Sequence, residues 1–197
     1  MNAESQITTT PPPSNLVTRN SGNKMLRFGL FGLFCSLMVA QYIQTISSDE
    51  ALVDYICSKT PEYAYCQICF SEDEHRYERD KRGLALLAIS CCQSQSDSVL
   101  IDLEAYQRNS TDTGFKETCR SCQIYVKSAL LNILNAKIYC NHGRYHVASA
   151  VIHNAIRDHQ RCLKRIGSKQ IPPVFDGEFF LLKGFYRVAR AILLHIK

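Results

Sequence analysis

Two pairs of cysteines in apolar, helical surroundings constrain this chain more than any other feature. Cys57 and Cys66 flank a Thr-Pro step, and proline ends a helix because the residue before it disfavours helical angles. A disulfide can span nine residues folded around such a turn. Cys122 and Cys162 lie at similar distances before and after Gly143. If the segments on either side of Gly143 are antiparallel helices, these two cysteines lie side by side, so the sequence predicts two disulfides.

Four long segments repeat apolar residues at steps of three and four, which is the pattern of one helix face. They begin after Asp80, at Phe115, at Arg144 and after Pro172-Pro173, and loops rich in Ser, Thr, Asn and Gly separate them. Nothing alternates with the period of a strand. The sequence therefore predicts an all-α, up-and-down four-helix bundle over residues 80–197, preceded by a helical hairpin over residues 49–70.

The predicted core faces are read from the same periodicity. They comprise Ala85, Ile89, Cys92, Ser96, Val99, Leu103 and Tyr106 in the first bundle helix; Cys122, Val126, Ala129, Ile133, Ala136 and Cys140 in the second; Val147, Val151, Ala155, Cys162 and Ile166 in the third; and Phe179, Leu182, Tyr186, Ala189, Leu193 and Ile196 in the fourth.

The N-terminus has the layout of a secretory signal. Residues 1–24 are polar and expected to be disordered, whereas residues 25–48 hold a basic flank and a 13-residue apolar run, Phe28 to Ala40. That run is shorter than the ~20 residues that a membrane span requires, although a retained signal anchor is the alternative. Ala40 and Ser48 are alternative cleavage points, and Met1 and Met25 are alternative starts of translation. The signal predicts a secreted domain over residues 49–197 that has no stable membrane association once the signal is removed.

The composition of residues 49–197 argues against nucleic-acid binding. They contain 20 basic and 17 acidic residues, whereas nucleic-acid-binding domains carry a clustered, strongly basic face. Asn109-Ser110-Thr111 is an acceptor sequence for N-glycosylation, which fits secretion. There is no nucleophile elbow, phosphate loop or paired metal-binding histidine motif, so we expect neither catalysis nor a cofactor.

Five further cysteines follow residue 48 (Cys69, Cys91, Cys92, Cys119 and Cys140), and because their number is odd at least one is unpaired or bridges to another chain. We interpret Cys91, Cys92 and Cys140 as small buried residues. The spacings Cys66-x-x-Cys69 and Cys119-x-x-Cys122 also permit a zinc site, but disulfides suit an oxidising compartment better. No metal site is therefore predicted.

Several short motifs resemble the plant invertase and pectin methylesterase inhibitor family. They are Ile56-Cys57-Ser58-Lys59-Thr60-Pro61 with Cys66, Arg82-Gly83-Leu84-Ala85, Cys122-Gln123-Ile124-Tyr125, Gly143-Arg144-Tyr145, and Ala155 followed by Cys162. The resemblance covers residues 48–197. It implies a four-helix bundle after a helical hairpin, with bridges Cys57–Cys66 and Cys122–Cys162, and it implies a non-catalytic inhibitor that covers the active-site cleft of a cell-wall or vacuolar enzyme.

The resemblance also suggests the target. Invertase inhibitors resemble one another in a Pro-Lys-Phe motif near the turn where this chain has Gly143-Arg144-Tyr145, which is similar to the methylesterase inhibitors. We therefore expect a secreted, cell-wall inhibitor of pectin methylesterase, with acid invertase or a non-enzyme partner as alternatives. The third bundle helix departs from the family, because it has His153-Asn154-Ala155-Ile156-Arg157 where members often carry Ser-Ala-Ala-Leu-Thr. The candidate target-binding residues are Tyr145, His153, Arg157, Asp158 and Arg161.

One side of this helix is basic. His153, Arg157, Arg161 and Lys164 are expected to contact an acidic target or anionic, demethylated pectin, although an ordinary solvated face is the simpler interpretation. Asp158 is expected to form a local ion pair. Histidines at positions 146, 153 and 159 are candidates for making binding depend on pH.

Overall fold

The computed structural model describes residues 50–167 and 173–196, and this part of the chain is helical, with no strand. The predicted disordered segment (1–24) and the predicted signal or anchor segment (25–48) lie outside the described residues and stay predictions. The described part of the first helix, α1, covers residues 50–58. It is followed by α2 (Tyr63–Ser71), a 3₁₀ turn (Arg76–Glu78), α3 (Lys81–Asn109), α4 (Thr113–Asn141), α5 (Tyr145–Ile166) and α6 (Pro173–His195).

Helices α3 to α6 pack in a closed ring, because each contacts the next along the chain and α6 returns to α3. Helices α1 and α2 form the hairpin, and α2 packs against α3 and α6. The predicted all-α bundle with an N-terminal helical hairpin is confirmed.

Local sequence chemistry sets the ends of the bundle helices. The Asp80 carboxylate accepts a hydrogen bond from the Gly83 amide at 2.7 Å, and the Asp112 carboxylate accepts from the Gly114 amide at 2.7 Å. Both are N-caps, which satisfy amides that have no partner within the helix. At the other end of α4, Gly143 has a φ of +70°, and the Arg144 amide donates to the Tyr139 carbonyl at 2.9 Å. Glycine tolerates this left-handed angle, so α4 ends where the sequence predicted.

The buried faces of α3, α4 and α6 follow the predicted periodicity, and that of α5 follows it in part. Ala155, Cys162 and Ile166 are buried as predicted, whereas Val151 is half-buried and Val147 is 42% exposed. The residues of α5 that are buried are Ala148, Ser149, Ile152, Ala155, Asp158, His159, Cys162 and Ile166. The prediction for Val147 is wrong because the inward face of α5 also takes in small and polar side chains, which hydropathy does not mark as core.

Three disulfides link the helices. Cys57 bonds to Cys66 with a Cα–Cα distance of 5.5 Å, and Cys122 bonds to Cys162 at 4.7 Å. The third joins Cys69 of α2 to Cys91 of α3 at 5.8 Å. It corrects the interpretation of Cys91 as an unpaired buried residue.

The third disulfide also removes the zinc alternative, since three of the four proposed ligands are bonded to other cysteines. Cys92, Cys119 and Cys140 are buried and lie outside these disulfides. Burial raises the pKa of the Cys92 and Cys140 thiols, so neither is a reactive thiolate at neutral pH.

The hairpin docks on the bundle where α6 has a glycine. A Cβ atom built on Gly184 would lie 2.4 Å from the Tyr65 ring, so the aromatic ring occupies the space that any larger residue would need. The Arg187 guanidinium, one turn further along α6, holds the Glu62 carboxylate at the start of α2. The close contact between Tyr65 and Gly184 therefore fixes the position of α2.

Helix α3 is long and apolar enough to cross a membrane by length and composition alone, and it is the one such helix among the described residues. Its apolar residues pack inside the bundle, with Leu84, Ala88, Ile89 and Cys92 fully buried. This is the setting expected of a bundle core helix.

Candidate target-binding surface

Three surface features of the described residues are candidates for binding a partner: the basic side of α5, the α5–α6 groove and the exposed face of α4. The same residues contain no group of three or more histidine, cysteine or acidic side chains that could hold a metal ion.

Three of the predicted basic residues of α5 present charge to solvent at one side of the helix. His153, Arg157 and Lys164 are exposed, and the Arg157 guanidinium donates to the Asn154 side-chain oxygen at 2.8 Å. Arg161 is also exposed, but its guanidinium turns back to Asp158 at 2.9 Å. The stripe therefore exists, with Arg161 partly neutralised.

Asp158 is misplaced among the target-binding candidates, because it is only 6% exposed. One carboxylate oxygen accepts from the Arg161 guanidinium, and the other accepts from the Ser128 hydroxyl at 2.8 Å and the Asn132 amide at 3.3 Å. The expected local ion pair is present, but the carboxylate also bonds to two side chains of α4. Asp158 therefore joins α4 to α5 and is not available to a partner.

The remaining candidate, Tyr145, is the first residue of α5 and is half-buried against the core. It directly follows Gly143 and Arg144 of the turn. Part of its ring is therefore accessible, beside the turn motif that the sequence singled out.

The histidines of α5 fall into two environments. His146 and His153 are exposed to solvent. His159 is 1% exposed, its ring lies against the rings of Phe179 and Tyr186, and neither ring nitrogen has a hydrogen-bond partner. Burial, with a smaller contribution from the charge of Lys183, lowers the pKa of His159 to about 4. Its inclusion among surface residues that sense pH is therefore wrong.

A groove of about 430 Å³ runs between α5 and α6. His146, His153 and Arg157 line it from α5, and Arg190 lines it from α6. Asn154 adds a polar side chain to the lining, and the buried Ser149 lies at its base. Arg190 was not predicted, because only the packing of α6 beside α5 brings its guanidinium to this face.

An apolar stripe on the outer face of α4 was also missed. Ile124, Leu131 and Ile138 are each more than half exposed and are spaced by seven residues. Residues seven apart lie on the same side of a helix, so the three form one line opposite the core seam. The sequence signal for this stripe was a second apolar repeat in α4, at steps of seven residues, outside the predicted core positions. Such a line of aliphatic side chains is typical of a surface that another protein covers.

Asn109 is the last residue of α3 and is exposed. Its position leaves the side chain accessible for a glycan, and glycosylation stays a prediction.

Comparison with known proteins identifies the fold. The chain is similar to the crystal structure of a mutant form of a pectin methylesterase inhibitor from Arabidopsis, with a TM-score of 0.65 and 18% sequence identity. That match covers 74% of this chain and 97% of the Arabidopsis chain. A second crystal structure of a pectin methylesterase inhibitor from Arabidopsis thaliana matches with a TM-score of 0.57 and 17% identity, over 75% of this chain and 97% of that one.

No protein-family pattern matches this sequence, and no curated protein matches it closely enough to count as a relative. The fold likeness extends over nearly the whole length of the two inhibitor chains, and it agrees with the fold that the sequence motifs implied.

Proposed function

We propose that this chain is a secreted, non-catalytic inhibitor of pectin methylesterase that binds the enzyme's cleft through the outer surface of its bundle. The observation that carries the proposal is the likeness of its fold to two pectin methylesterase inhibitors over 97% of each of their chains. The turn motif Gly143-Arg144-Tyr145 favours the methylesterase over invertase. Three disulfides support an oxidising, extracellular setting, with the plant cell wall as the proposed location.

We assign the contact to the exposed sides of α4 and α5, which pack against each other. Protein interfaces combine an apolar centre with a polar rim. Ile124, Leu131 and Ile138 provide the apolar centre, whereas Arg157 and Arg161 provide charge at the edge. Charges at a rim mainly raise the rate of association with an acidic partner and act less at high salt.

The first test is a titration of the oxidised protein against pectin methylesterase and, in parallel, acid invertase. We expect stoichiometric loss of methylesterase activity and unchanged invertase activity. Inhibition of invertase alone would refute the choice of target. If neither enzyme responds to a protein whose helical content and three disulfides are verified, the inhibitor proposal is wrong.

Leu131→Lys tests the assigned surface, with Ile68→Lys on α2 as the matched control. Leu131 is 65% exposed and Ile68 is 44% exposed, so neither substitution buries a charge. We expect Leu131→Lys to weaken inhibition at least about tenfold, or about 1.4 kcal/mol, since it places an unpaired charge in the apolar centre of the contact. Ile68→Lys should inhibit like the unmodified chain. Equal weakening by both variants would place the interface elsewhere.

A further inference from the structure

We propose that the α5–α6 groove is a binding site for a carboxylate-bearing polysaccharide, a polyuronate, separate from the inhibition of an enzyme. The groove combines two guanidinium groups, two imidazoles and hydrogen-bonding side chains along one concave surface. This proposal concerns direct binding of a carbohydrate chain, and it stands or falls independently of any effect on an enzyme.

The charges of the groove point to an anionic ligand. Within the described residues, no carboxylate is paired with Arg157 or Arg190, whereas Arg161 and Arg187 hold Asp158 and Glu62. No acidic side chain lines the groove. Arg157 uses one donor on Asn154, and a guanidinium has five, so donors remain for a carboxylate. Arginine binds carboxylates in paired hydrogen bonds, which makes it the suitable side chain for this class of anion.

The shape of the groove points to an extended ligand. His146 and Arg157 are eleven residues apart on one helix, which corresponds to roughly 16 Å along its axis. His153 lies between them, so polar side chains are distributed along the groove and not concentrated at one point. An extended chain with a carboxylate on each sugar offers charge along the same direction, whereas a single small anion would contact one end only.

The lining favours a hydrated carbohydrate over a protein or a nucleic acid. Ala150 and Leu194 are the two apolar members of the lining, so the groove has few of the apolar contacts that dominate protein interfaces. Its aromatic rings are the two imidazoles, and it has no Phe, Tyr or Trp ring, the larger platforms on which nucleic-acid bases stack. Asn154 instead offers an amide that can hydrogen-bond to sugar hydroxyls.

The charges that carry this site are exposed to solvent. Arg157 and Arg190 are both exposed side chains, so dissolved ions can screen their attraction to a carboxylate. Binding of a polyuronate is therefore expected to weaken with added salt.

The test is calorimetric titration of the full oxidised chain with de-esterified oligogalacturonate, using the fully methyl-esterified oligomer of equal length as the neutral control. An alginate oligomer distinguishes general recognition of uronates from recognition of galacturonate. We expect binding of the de-esterified oligomer at low salt and pH 5, several-fold weaker binding at high salt, and no binding of the esterified one.

Two charge-matched double variants test the location. Arg157→Gln with Arg190→Gln should weaken binding at least about tenfold, because both charge-assisted contacts are lost. Arg120→Gln with Arg165→Gln removes the same charge from exposed positions outside the groove and should change the affinity by less than about twofold.

Equal binding of the esterified oligomer, equal weakening by both arginine pairs, or no binding at low salt and pH 5 would each overturn the proposal. Since no enzyme is present in the titration, failure here leaves the inhibitor proposal untouched, and failure of inhibition leaves this one untouched.

Discussion

Replacing His159 by leucine should make the stability of the protein less sensitive to acid. The folded chain holds the pKa of His159 at about 4, below its ordinary value of 6.5, because the ring is buried without a hydrogen-bond partner. The unfolded chain therefore takes up a proton first as the pH falls. The contribution of the neutral His159 ring to the free energy of unfolding is fully present above pH 6.5 and is lost progressively down to pH 4. The loss is about 3 kcal/mol in total and about 2 kcal/mol between pH 7.5 and pH 5.

Urea unfolding followed by far-ultraviolet circular dichroism, at several pH values between 7.5 and 5, measures this directly. All other ionisable groups contribute equally to both proteins, so subtracting the His159→Leu curve from that of the unmodified chain isolates the histidine. His153→Leu is the matched control, since His153 lies on the same helix but is exposed, and it should keep the original pH dependence. If His159→Leu loses stability with acid as steeply as the unmodified chain, the unpartnered burial of this ring does not govern acid stability.

Three further predictions concern packing and cross-linking. Gly184→Ala should lower the free energy of unfolding by about 1–3 kcal/mol, because the added methyl group clashes with the Tyr65 ring. In a double-mutant cycle, the same substitution should cost nothing when Tyr65 is already alanine. Asp158→Ala should cost about 2–3 kcal/mol in urea unfolding by leaving its partners on α4 and α5 unsatisfied, and an unchanged midpoint would contradict the structural role. Replacing Cys69 and Cys91 together by serine should cost about 3 kcal/mol through loss of a 22-residue loop closure, and peptide mapping of the oxidised chain should recover the two cysteines in one cross-linked fragment.

The fold could be predicted because the long helices follow one rule, that apolar residues recurring at steps of three and four face the core. Along α6 every predicted core residue, from Phe179 to Ile196 just after the helix end, is buried, because the apolar repeat marks the inward face even though Phe180 and Leu194 are also apolar and are exposed. Helix α5 shows where that rule fails. Its inward face includes Asp158 and His159, which look like surface residues, while Val147 looks like core and is exposed. Hydropathy alone cannot identify a polar side chain that is buried because a neighbouring helix covers it.

The third disulfide and the α5–α6 groove were not predicted either, and the reason differs from that for the buried polar residues of α5. Cys91 and Cys92 are adjacent in sequence, and only the direction in which α2 crosses α3 decides that Cys91 meets Cys69. Likewise, the sequence shows Arg190 only as a charged residue of α6, and it lines the groove because α5 packs beside α6. Such juxtapositions depend on how helices are rotated about their axes, which the spacing of apolar residues fixes only approximately.

The absence of any cysteine from α6 leaves it the one bundle helix without a covalent cross-link. Disulfides tie α1 to α2, α2 to α3, and α4 to α5, so each of the other three bundle helices carries a disulfide and α6 carries none. In native-state hydrogen exchange, the amides of α6 should therefore report the lowest opening free energy among the four bundle helices. Its departure removes one wall of the groove and uncovers His159 in the same event, so the occupancy of the groove and the local stability of α6 are thermodynamically linked.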